Sequence, residues 1–183
     1  MTPASPGTGR HLPIVGVELI DACLARLRGA VEHIHEQTLA MINEHKSPYE
    51  IMRGVSLPPE LRVGQGYGKI EWAARTIFEE YTGWFQRRST AELYGVDPAE
   101  ATSALAALLE AKDVVALARA RLASGDTPTA IRLAEAVLAN GEDRSAMELL
   151  LEAHEQLLAL GDESFWESGW LRHQIARWRE ALA

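Results

Sequence analysis

The chain has 183 residues, 47% hydrophobic and 24% charged, with a formal net charge of −8. A chain of this length buries about 70% of its unfolded surface, so a substantial core is within reach. The acidic balance argues against a phosphate-backbone partner, no apolar run nears the roughly 20 residues of a membrane span, and the lone Cys23 excludes an internal disulfide.

Met1 to Gly9 is rich in Pro, Gly, Ser and Thr and contains no hydrophobic segment. It does not read as a secretory leader, and a cytoplasmic location is expected. Residues 1–16 read as a flexible tail, and residues 17–183 as one helical domain. The first helix is expected over about Val17 to His45. Its apolar face comprises Ile20, Cys23, Leu24, Leu27, Val31, Ile34, Thr38, Met41 and Ile42. On that face Cys23 reads as a small buried hydrophobe. Gly29 is the weak point of the helix, costing about 1 kcal/mol against Ala.

Ser47-Pro-Tyr-Glu50 is a capping box with Pro at the first helical position, opening a short helix from Pro48 to about Gly54. Leu57-Pro-Pro-Glu-Leu61 stiffens the backbone, and three glycines follow within Gly64–Gly68. A helix then runs from about Lys69 to Gln86. Its face is Ile70, Ala73, Ala74, Ile77, Phe78, Tyr81 and Trp84.

Arg87 to Val96 reads as a loop anchored by Tyr94. Asp97, Asp113, Thr127-Pro128, Asp143 and Ser164 open five further helices. Gly125-Asp126, Asn140-Gly141 and Gly161-Asp162 stop three of them. No alternating run suggests a strand, so the fold is expected to be all-α. Gly125-Asp126 and Gly161-Asp162 each separate two Ala/Leu-rich helices, a spacing near that of tetratricopeptide-type hairpins. A helical array with hairpins of that shape is expected in the second half. A peptide-binding scaffold is one reading of it.

Catalytic patterns are missing. The histidines are His11, His33, His35, His45, His154 and His173. His33 and His35 point to opposite sides of a helix and cannot share a metal, so the six read as solvated or interface histidines. Glu32 and Glu36, Glu79 and Glu80, and Glu152 and Glu155 read as solvated charge. There is no nucleophile elbow and no phosphate-binding loop, and neither metal nor other cofactor is expected. The five tryptophans stand out. Trp166, Trp170 and Trp178 share a broad side of the last helix. Trp84 and Trp170 read as core, while Trp72 lies off the main stripe of its helix and suits core or interface. Arg75 is placed to pair with Glu71 or Glu79 on its own helix.

Leu57-Pro58-Pro59, Tyr67-Gly68, Trp72, Arg75, Ile77, Tyr81 and Gly83-Trp84-Phe85 form a specific combination. It resembles the dimerisation domain of alkyl sulfatases in the metallo-β-lactamase superfamily. The likeness extends over about residues 11–180, strongest at 57–85. It implies an all-α homodimerisation module whose Val17–Phe85 helices pack on a copy of themselves. Tyr67, Trp72, Arg75, Phe78, Tyr81, Trp84, Trp166 and Trp170 are then the candidate interface or packing residues. The family's zinc site, with its His-x-His-x-Asp-His motif, lies on a β-sandwich that this sequence lacks. The chain is therefore expected to be no enzyme by itself. His11 occupies the place of a late metal ligand in the family and reads as a relic. The resemblance also implies an alternative: the C-terminal part of a zinc-dependent sulfatase hydrolysing alkyl sulfate esters. Its metallo-β-lactamase-fold domain would then be supplied elsewhere, as a possible partner.

Overall fold

The computed structural model describes residues 14–161 and 164–183. All regular structure among them is helical, as expected. The tail through Pro13, with His11, and Asp162 in the last helix stop lie outside the described residues. The chain forms two compact units, one up to Trp84 and one from Phe85 onward.

The first unit is built on α1, Val17–Asn43. This helix ends where His45 takes a left-handed φ of 59° and its N–H bonds the Ile42 carbonyl. Helix α2, Pro48–Gly54, has the boundaries its residues announce. Ser47 accepts from the Glu50 N–H, and the Glu50 carboxylate accepts from the Ser47 N–H at 2.8 Å. A 3-10 turn at Pro59–Leu61 then crosses α1. Gly29 is explained there, because a Cβ at that position would lie only 3.0 Å from Leu61 Cδ2. What the sequence shows as a weak helix residue is a point of close approach.

Helix α3 spans Ile70–Thr82 and is shorter than expected. Gly83, at φ 73°, takes the chain out of the helix and returns its N–H to the Glu79 carbonyl. At the other end Gln65, from the glycine-rich segment, accepts from the Ile70 N–H at 2.9 Å. The loop thus supplies the cap that Lys69 does not. Ile34, Ile51, Val55, Ala74 and Phe78 form the core, with Met41, Ile42, Leu57, Ile70 and Ile77 against it. Burying such side chains stabilises by roughly 1.5–3 kcal/mol each. The buried Thr38 hydroxyl donates to the Ile34 carbonyl at 2.7 Å, so it is satisfied beside them.

The capping box yields a pH prediction. Hydrogen bonds from Ser47, through its hydroxyl and its N–H, hold the Glu50 carboxyl below its ordinary pKa of 4.5. The ionised form is favoured in the folded state, so the box contributes in full above pH 4.5. Its contribution fades as acid protonates Glu50 below that. Glu50→Ala is expected to lower the urea midpoint at pH 7, with the difference from wild type shrinking toward pH 3.5. A gap that stays constant over that range would refute the charged cap.

The second unit begins with a 3-10 turn, Thr90–Tyr94, inside the segment expected to be a loop. Ser89 and Glu92 close a capping box around it. Helices α4 (Pro98–Ala106), α5 (Ala111–Ala123), α6 (Thr127–Leu138), α7 (Arg144–Ala159) and α8 (Phe165–Leu182) follow. Asp97, Asp143 and Ser164 cap α4, α7 and α8 through their side chains. Asp113 falls inside the first turn of α5 and is not its cap. Sequential helices pack on one another from α5 to α8, while α4 rests on α6.

The core of this unit is rich in alanine. Ala118, Ala130, Ala134, Ala146 and Ala153 are fully buried, beside Leu149 and Leu150. Small residues at facing positions let helix axes approach toward the lower end of the usual 8–10 Å. Thr127 donates to Gln156 at 2.9 Å, and Asn140 donates to the Ser103 and Ala136 carbonyls. His154 is buried, contrary to the solvated or interface role expected of the histidines; its Nδ1–H donates to the Leu150 carbonyl one turn back.

Candidate functional site

Along α1, Val17, Ile20, Leu24, Leu27, Val31, Ile34, Thr38 and Met41 recur at alternating spacings of three and four. This is the seam of a helix built to pair along its length. In the second half of α1 the seam is covered, with Ile34 and Thr38 buried. Helix α3 lies there: Ile34 and Phe78 share the core, and His35 Nε2 and the Tyr81 hydroxyl share a hydrogen bond of 3.0 Å.

Beyond that point the seam is bare among the described residues. Leu24 is 59% exposed, Leu27 51% and Val31 58%, and Val17 is exposed too. Cys23 is also exposed, which corrects the expectation that it is a buried hydrophobe. The reason is topological. Helix α3 ends at Gly83 and the Pro59–Leu61 turn meets α1 at Gly29, so neither covers the first three turns. Leu24, Leu27 and Val31, with Asp21, Ala25, Arg28 and Glu32, line an open depression of about 720 Å³. Arg28 and Glu32 stand 3.7 Å apart on its rim.

Six of the candidate residues lie in the first unit. Phe78 is buried in the core. Arg75 reaches Glu79 at 2.7 Å and sits over the Tyr49 ring, 5.5 Å from its centre. Partial burial works to lower the Arg75 pKa, but hydrogen bonds to Glu79 and Tyr49 outweigh it and raise it. Of the two pairings the sequence allows, the one with Glu79 forms. Lys69 Nζ stands 5.9 Å from the Trp72 ring centre. Tyr67, Tyr81 and Trp84 are exposed. At 68% exposure Trp84 is not the core residue its position on the α3 stripe suggests, because it falls two residues past the helix end.

Trp166 and Trp170 lie in the second unit on α8. Trp170 is 61% exposed and also departs from the core role expected of it. Leu171, Gln174, Ile175 and Trp178 face the unit's interior, so the helix turns its Trp166–Trp170 side outward. Phe165 and Trp166 meet edge to face with centroids 5.5 Å apart, and Trp170 lies 5.8 Å from His173. The bare seam of α1 is the feature that sequence reading missed as a surface. Its signal is the strict three-four alternation, which continues past what one short helix can cover.

Among the described residues, no three His, Cys, Asp or Glu side chains gather to hold a metal, and no helix is long and apolar enough to cross a membrane. The alkyl sulfatase dimerisation family matches residues 47–174. A linear primary-alkylsulfatase of Pseudomonas sp. (strain ATCC 19151) is 33% identical over 111 residues, 58% of this chain and 21% of that protein. The alkyl/aryl-sulfatase BDS1 of Saccharomyces cerevisiae is 26% identical over 167 residues, 88% of this chain and 26% of that protein. The solved structure of the stereoselective inverting sec-alkylsulfatase Pisa1 from Pseudomonas sp. superposes with a TM-score of 0.77 at 25% identity. It covers 90% of this chain and 27% of Pisa1. The chain thus spans about a quarter of the length of the relatives it matches.

Proposed function

The chain belongs to the alkyl sulfatase dimerisation family, and from that premise we propose that it is a homodimerisation module without chemistry of its own. One observation carries the reading: the run of exposed apolar side chains on the first half of α1. A monomeric surface seldom carries a continuous apolar stripe of this kind, and a second copy would remove it from water. A closed pair with two-fold symmetry is the simplest way for one such surface to cover itself.

The module would serve a larger sulfatase assembly. Its similarity to about a quarter of the length of proteins that are themselves named as sulfatases supports this. In that setting the hydrolysis of alkyl sulfate esters would belong to a zinc-bearing metallo-β-lactamase-fold domain. The described residues offer no ligand grouping that fits such a metal site, and no hydrolytic step is assigned to them.

Sedimentation of the whole chain at micromolar concentration tests the reading. The expected result is a single species of twice the chain mass of 20.1 kDa. A monomer throughout that range would sink it.

A further inference from the structure

The bare seam is specific about how a second copy would lie on it. Resting on the homodimer reading, we infer that the first half of α1 pairs antiparallel with the same segment of a second copy, about a two-fold axis between Leu24 and Leu27. Three features fix this arrangement.

The first is continuity. The seam that α3 covers over Ile34 and Thr38 runs on unbroken as Val31, Leu27, Leu24 and Ile20. One occupant, α3, is already seen on it. A helix is therefore the shape that the remaining stretch accepts.

The second is length. The exposed seam residues run from Val17 to Val31, 15 residues or about 22 Å of helix. With the axis between Leu24 and Leu27, Leu24 meets the partner's Leu27, and Ile20 meets the partner's Val31. Each bare half then covers the other and stops where the partner's own core begins. The remainders of the two copies' first units then fall at opposite ends. A parallel pair would crowd both at one end.

The third is charge. Asp21 and Arg28 flank the seam on the same side, seven residues apart, and both line the open depression. Antiparallel pairing sets Asp21 against the partner's Arg28, and the two-fold axis repeats the contact. Parallel pairing would set Arg28 against the partner's Cys23 instead, with no charge match. Flanking charges are what choose orientation in paired helices. Arg28 already leans on Glu32 at 3.7 Å, an exposed pairing that leaves its guanidinium free to bridge.

Charge reversal and cysteine labelling on the whole chain test the inference. Arg28→Asp and Asp21→Arg are each expected to weaken the dimer by about tenfold at low salt, since each creates two like-charge contacts. The double variant, D21R with R28D, is expected to return to within about threefold of wild type. Cys23, beside the seam, is expected to react more slowly with maleimide in the dimer than in a diluted monomer. A wild-type dimer whose strength ignores both reversals, with Cys23 equally reactive in both states, would overturn the antiparallel seam and leave homodimerisation on another face. A wild-type monomer with reactive Cys23 would overturn both readings. A monomer with protected Cys23 would do the same, with the seam covered from within the chain.

Discussion

Leu149→Ala is expected to lower the stability of the second unit by about 3 kcal/mol, within the 2–5 kcal/mol range of such truncations. Leu149 is fully buried in α7, the helix that packs on α5, α6 and α8. Five of the eleven other buried residues in its cluster are alanines, whose methyl groups cannot swing into the space it leaves. The cavity should therefore persist, which puts the site above the low end of the range. For a domain of this size each 1 kcal/mol moves the melting temperature by about 4–8 °C. A fall of roughly 12–24 °C in the transition of this unit is thus expected, followed by circular dichroism on the whole chain. A fall of less than about 4 °C would mean that the helices close over the gap and that the methyl-lined core is not rigid.

Leu24→Asp is the second large effect, and it separates association from folding. Leu24 is 59% exposed in the single chain, so an aspartate there meets water and leaves the unit's own core untouched. In a dimer closed over the α1 seam, two carboxylates would be buried near the axis without partners. Desolvating an unpaired charge costs several kcal/mol. The dissociation constant is expected to rise at least a hundredfold, read by sedimentation, with the urea midpoint of the dissociated chain nearly unchanged. A dimer of wild-type strength would remove the seam from the interface. Loss of the folded unit itself would show that Leu24 packs inside it.

These two sites also show how far the sequence can be read. Helix α2 could be placed to the residue, because Ser47, Pro48 and Glu50 act within one turn and need no tertiary information. The end of α3 was legible in Gly83 but was outvoted by Trp84 and Phe85, whose apolar character prolongs the periodic pattern past the break. The Ser89 and Glu92 spacing carried the signature of a capping box within a stretch that otherwise looks structureless. The methyl core of the second unit was hidden for a different reason. Alanine contributes little to a hydrophobic pattern, so Ala118, Ala130 and Ala134 give no sign that they sit deeper than the leucines around them.

The candidate surface was half legible. Periodicity identifies which side of α1 is apolar, and that side is correct. It cannot say which part of the side another element covers, since that depends on where α3 stops and where the Pro59–Leu61 turn crosses. Cys23 and Val31 thus look as internal as Ile34, yet only Ile34 is buried. Trp84 and Trp170 follow the same logic: size suggests burial, but each lies where the neighbouring chain has run out or turned away.

The methyl-lined contacts between α5, α6 and α7 have an evolutionary corollary. At Ala118, Ala130, Ala134, Ala146 and Ala153 there is no larger residue to trim and no gap to fill. Growth by even one or two methyl groups must push a helix backbone aside. The permitted alphabet at these five sites shrinks toward alanine, glycine and serine, while outward positions one residue away are under no such limit. Drift in this unit is channelled onto its outer faces, so its surface can change over time while its shape does not.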